Sequence, residues 1–148
     1  MSTPVRFVDT NVLLYALSTD PGEGAKRDVA EALLEERDLA LSVQVLQEFY
    51  VQATRSSRGD ALDRGDAALL VEAFSRFPIA VTTPAVMRAA MDLCSRFSLS
   101  YWDAAIVEAA RSLGCATVLS EDLGDGVDYA GVRVINPFRD VHDVSRGR

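Results

Sequence analysis

Four acidic residues lie where charge is least expected. Asp9 separates two apolar runs in "VRFVDTNVLLYAL"; Glu48 sits among half-buried neighbours in "LSVQVLQEF"; Asp103 follows an aromatic pair in "LSYWDAAIVEAA"; Asp122 comes just after "ATVLS", with Glu121 beside it. A carboxylate between segments that favour burial needs compensation. Singly, each has a plain structural use. Asp9 can cap a helix through an Asx-type turn, Glu48 can be a solvated helix-face charge, Asp103 can be the acidic arm of a capping box, and Asp122 can belong to a polar turn with Asp125 and Asp128. Gathered together, they would repel one another, and their pKa values would rise unless a cation neutralised them. An all-oxygen donor set suits Mg2+ or Mn2+ better than zinc.

The remaining residues narrow the chemistry. The one histidine, His142, stands in the polar tail "RDVHDVSRGR" and reads as a solvated surface residue. Cys94 and Cys115 are far apart and read as small apolar residues of a reducing compartment. An ordinary zinc site, a Ser-His-Asp triad and a histidine pair driving attack by a ribose 2′-hydroxyl are therefore all excluded. The net charge of −7 and pI near 4.6 give no basic footprint for nucleic acid. A protein that meets phosphate through bound cations escapes that objection. Lys26 is the only lysine.

The elements must bring these acids together. The 148 residues suit one domain, 1–148. No apolar run is long enough to span a bilayer, and "MSTPVRF" lacks the pattern of a secretion signal, so a cytoplasmic protein is expected. Strands are expected at Val5–Val8, Leu39–Leu41, Ile79–Val81, Ala116–Leu119 and Val132–Ile135. Helices are expected at Val12–Leu17, Ala25–Arg37, Ser42 to about Arg55, and Arg64–Phe77. A further helix runs from Thr83-Pro84 to Phe97, and another from Ser100 until Gly114 ends it. Strands joined by such helices imply a mostly parallel sheet covered on both faces, an α/β three-layer sandwich. Ligands of such sheets bind beyond the carboxyl ends of the strands, where Asp9, Glu48, Asp103 and Asp122 all fall.

These four segments, in this order, resemble the acidic motifs of PIN domains, and most closely those of VapC-type toxins from toxin–antitoxin pairs. The resemblance spans nearly the whole chain. It implies a metal-dependent endoribonuclease in which Asp9, Asp103 and Asp122 hold Mg2+ or Mn2+. Glu48 shares that task or takes a proton from the attacking water. Asn11, Ser42 and Ser120 match positions that orient the carboxylates or their water, and Glu121 stands as an alternative to Asp122. A VapB-type antitoxin whose C-terminal segment approaches the acidic pocket, an RNA substrate and a homodimer formed through helices are also implied. Arg55 and Arg58, beside the helix of Glu48, read either as loop charges or as grips for RNA phosphates.

Other α/β readings fail on particular residues. A phosphatase of the haloacid-dehalogenase type wants an aspartate where Asn11 stands and a lysine in the later half of the chain. A receiver domain fails on the same lysine, and "GEGAKR" completes no phosphate-binding glycine motif. A catalytically silent PIN-like protein-binding module remains the alternative in a different class.

Overall fold

The first strand, β1 (Arg6–Val8), forms where Phe7 and Val8 are fully buried. β1 is central to a six-stranded sheet of order β3-β2-β1-β4-β6-β5, with β2 at Leu39–Ser42, β3 at Ile79–Ala80, β4 at Thr117–Leu119, β5 at Asp128–Tyr129 and β6 at Val132–Ile135. All neighbours run parallel except β5, which is antiparallel to β6. The computed structural model describes residues 6–141. Val5 of the expected first strand and His142 lie outside the described residues.

Among helices α1 (Thr10–Ala16), α2 (Gly24–Leu34), α3 (Val43–Ala53) and α4 (Arg64–Phe74), α1 packs against both α2 and α3, and α3 packs against α4. α5 (Pro84–Phe97) pairs with α6 (Tyr101–Ser112), which lies across β2, β3, β4 and β6. The architecture is the expected α/β sandwich with a mostly parallel central sheet. Strand β2 is buried along its whole length, as a strand covered on both faces must be, whereas β6 alternates buried and exposed residues. The expected caps form: Ser42 Oγ accepts from Val45 N–H, Thr83 Oγ1 from Val86 N–H and Ser100 Oγ from Asp103 N–H, each at 3.1 Å. Gly114, at φ +76°, takes the left-handed turn that follows α6.

Several boundaries differ from expectation, for local reasons. α1 begins at Thr10 rather than Val12 because Asp9 accepts the Thr10 N–H and starts the helix there. α2 ends at Leu34, short of Arg37, because Asp38 is committed to Arg6: its carboxylate takes both Nε and Nη2, at 3.2 and 2.9 Å, and its carbonyl takes the backbone N–H. α4 ends at Phe74, short of Phe77, where Ser75 Oγ donates back to Val71 O at 2.8 Å. The segment expected to be a polar turn around Asp128 is instead strand β5. It joins β6 through Ala130 and Gly131, both at positive φ, the geometry of a two-residue hairpin turn.

That hairpin is tied to α6 by Arg111. Its Nη1 and Nη2 donate to Ala130 O and Tyr129 O at 2.7 and 2.8 Å, and its Nε donates to Glu108, whose side chain is 8% exposed. Arg111→Met strands a buried carboxylate and two carbonyls, so urea denaturation should show a loss of about 3 kcal/mol.

A cavity lined by four carboxylates

Asp9, Glu48, Asp103 and Asp122 line one cavity of about 220 Å3, together with Thr10, Asn11, Gln44, Gln52 and Trp102. Each acid arrives on a different element. Asp9 ends β1, where its N–H continues the sheet by donating to Leu119 O at 3.0 Å. Glu48 is in the second turn of α3, Asp103 in the first turn of α6, and Asp122 just past β4. The cavity thus lies beyond the carboxyl ends of β1 and β4.

Asp9 is buried, at 8% exposure. Its Oδ1 accepts Thr10 N–H at 2.8 Å and its Oδ2 accepts the Ser120 hydroxyl at 2.7 Å. Burial pushes its carboxyl up to about 6, against the opposing effect of those two bonds, and the charges of Glu48 and Asp122 push the same way. Ser120 Oγ in turn accepts from Asp122 N–H at 3.1 Å and from Asn11 Nδ2 at 3.3 Å. Asn11 Nδ2 also donates to Asp122 Oδ2 at 3.2 Å. Asn11 and Ser120 therefore fix Asp9 and Asp122 relative to each other.

Glu48 is held by residues that the sequence did not single out. Thr10 Oγ1 donates to Oε2 at 2.8 Å and Gln44 Nε2 to Oε1 at 3.0 Å. Gln44 lies four residues before Glu48 on α3, a spacing that signals contact; the Thr10 pairing is tertiary and has no sequence signal. Asp103 completes only half of a capping box: its N–H meets Ser100, while its carboxylate makes no hydrogen bond among the described residues.

Two expected residues point elsewhere. Ser42 does not line the cavity, and its hydroxyl accepts from Val45 N–H. Its influence on Glu48 passes through the start of α3. Glu121 accepts from Tyr15 Oη at 2.6 Å and from Lys26 Nζ at 2.7 Å. Burial alone would raise its pKa, but the bonds from Lys26 and Tyr15 hold it below the usual value. Glu121 faces a second cavity of about 250 Å3, walled off from the first by Asn11, Leu14 and Asp122. Arg58 lines this second cavity and is steered by Asp60, which accepts its Nε at 2.9 Å; Arg55 is exposed.

Among the described residues, no arginine or lysine lines the four-carboxylate cavity. Among the described residues, no three His, Cys, Asp or Glu side chains are gathered tightly enough to hold a metal ion as they stand. The donor set nevertheless fits a hard cation. It is all oxygen and anionic, and it holds in Asp9 a carboxylate that burial and like charges disfavour and that a cation would relieve.

The PIN domain family model matches residues 6–124. No curated protein sequence matches the chain. Among solved structures, the chain is similar to a toxin–antitoxin complex from Klebsiella pneumoniae, at 21% identity and TM-score 0.65, over 89% of this chain and 97% of that one. It is similar to VapC20 of Mycobacterium tuberculosis, a sarcin-ricin loop cleaving toxin, at 19% identity and TM-score 0.62, over 80% and 92%. A third is VapBC2 of Rickettsia felis bound to a DNA fragment from its promoter, at 17% identity and TM-score 0.63, over 89% and 98%.

Proposed function

Because the chain belongs to the PIN domain family, we propose that its four-carboxylate cavity is the active centre of a metal-dependent endoribonuclease, the toxin of a toxin–antitoxin pair. One observation carries the reading: acids from four distant segments line a single cavity in which no described side chain is cationic. Unpaired carboxylates in such numbers are costly unless a bound ion offsets them.

Asp9, Asp103 and Asp122 hold Mg2+ or Mn2+ in this proposal. When bound, the ion supplies an activated water and neutralises charge on the scissile phosphate. Asp9 is presented by Thr10 N–H and the Ser120 hydroxyl, and Asp122 by Asn11. Glu48, aimed by Thr10 and Gln44, shares the ion or accepts at a carboxylate oxygen the proton that the attacking water loses. Arg58, in the adjoining cavity, presents its terminal nitrogens to a neighbouring phosphate. In this proposal water, rather than a ribose 2′-hydroxyl, is the nucleophile.

The purified chain, incubated with single-stranded RNA, should cut only when Mg2+ or Mn2+ is present, leaving 5′-phosphate and 3′-hydroxyl ends. Ends bearing 2′,3′-cyclic phosphate, or equal cutting in EDTA, overturn the mechanism. Intact RNA at every metal concentration leaves a protein-binding module in its place.

A VapB-type antitoxin is the proposed partner. An apolar groove of about 640 Å3 between α3 and α4, lined by Val43, Leu46, Tyr50, Val51 and Val71, lies on the helix that also carries Glu48. In this proposal the antitoxin segment is seated there and sends a basic side chain towards the carboxylates. Met87 and Met91, exposed one turn apart on α5, suit a homodimer contact. No described helix is long and apolar enough to cross a membrane, and residence in the cytoplasm belongs to the same proposal.

A further inference from the structure

Trp102 is the chain's only tryptophan and the one aromatic side chain in the lining of the four-carboxylate cavity among the described residues. It is 64% exposed, although burying an indole is strongly favourable. It is nevertheless not loose. Tyr101 meets its ring edge to face, with centroids 5.1 Å apart and planes at 79°. Gln44 Nε2 donates both to the Trp102 carbonyl, at 3.2 Å, and to Glu48. The Trp102 backbone is thus tied to the residue that aims Glu48, while its indole, set against Tyr101, keeps much of its surface open to solvent.

We infer that Trp102 is the stacking platform for a base of single-stranded RNA next to the scissile phosphate. The inference rests on the nuclease reading above and adds how the substrate is gripped. An acidic chain whose described residues put no cationic side chain in this cavity gains little there from the phosphates directly. A nucleobase is neutral, and stacking on an aromatic face is the interaction that every base offers. Gln52 lines the same cavity, and its amide makes no side-chain hydrogen bond among the described residues, leaving a donor and an acceptor for a base edge. Recognition of RNA here therefore runs through unpaired, splayed bases rather than through a duplex backbone.

A lone tryptophan makes the test direct. The full chain is titrated with a single-stranded RNA dodecamer in Ca2+ buffer while its fluorescence is followed, and recovered RNA length shows whether any was cut. Emission should be quenched by this RNA and not by an abasic oligomer of equal length. Trp102→Ala should weaken binding, measured by anisotropy of a labelled RNA, about 5- to 150-fold, and Trp102→Phe should keep most of the affinity. Unchanged emission at saturation, or a Trp102→Ala protein that binds within about twofold of the parent, overturns the platform. Cleavage of the same RNA in Mg2+ separates this failure from that of the nuclease reading. Normal affinity in Trp102→Ala, with the parent still cutting, removes the platform alone. Base-dependent quenching without any cutting keeps the platform and removes the nuclease. Emission that responds only to a protein partner overturns the platform in favour of a docking role.

Discussion

Asp9→Asn will reduce metal-dependent RNA cleavage by more than about 100-fold while making the metal-free protein more stable at pH 7. The loss follows from the proposed role. Removing an outer partner of a metal ligand already costs about 10- to 100-fold, so removing a ligand should exceed the upper end. The gain follows from burial. The Asp9 carboxyl is raised to about 6 from an ordinary 3.8. Between those values the folded protein holds a proton that the unfolded chain has released. The stabilising contribution of that proton is complete below about pH 4 and is lost as pH rises through 6. At pH 7 the metal-free protein carries the full cost of a buried charge, about 3 kcal/mol for a shift of roughly two pH units. Asparagine never bears that charge, and its amide oxygen can still accept the Thr10 N–H that now meets Asp9. Urea denaturation in EDTA should therefore favour Asp9→Asn at pH 7 and show near equality at pH 4. A variant less stable at pH 7 would mean that the carboxylate is satisfied by the protein alone.

Mn2+ or Mg2+ should raise the thermal midpoint of the parent protein at pH 7, and EDTA should reverse the rise. An ion at 100 times its Kd, binding only the folded state, adds about 2.7 kcal/mol. For a chain of this length that is a shift of about 5–10 °C. Because the ion must displace the proton on Asp9, the shift should shrink as pH falls below 6, and it should vanish in Asp9→Asn. Differential scanning fluorimetry across pH and metal concentration reads all three effects. A midpoint that ignores both ions would remove the cation, and with it the reason for four carboxylates to share a cavity.

Much of the fold is legible in the chain because its signals are local. Ser42, Thr83 and Ser100 each cap the helix that begins one residue later, and Asp9 and Asp122 fall just beyond strands whose apolar runs are plain. What escapes depends on residues far away. Lys26 and Tyr15 draw Glu121 towards the neighbouring cavity, whereas Asp122 lines the four-carboxylate one. Thr10 meets Glu48 only because α1 and α3 pack together in the folded chain. Strand β5 is two residues long and closes through Ala130-Gly131, which lacks the Asn-Gly or Asp-Gly signature, so nothing local announces the hairpin that joins it to the expected strand β6. Ser42 is the opposite case: its local capping bond uses the hydroxyl that the family pattern would turn towards the site.

The two outermost strands, β3 and β5, have only two residues each, with Pro78 immediately before β3. Long unpaired borders of a sheet recruit further chains by backbone pairing, and proteins blunt them with brevity and proline. This molecule therefore offers almost no template for fibril growth at either margin of its sheet. It should remain dispersed even when crowded, and any self-association should proceed through side chains on its helices.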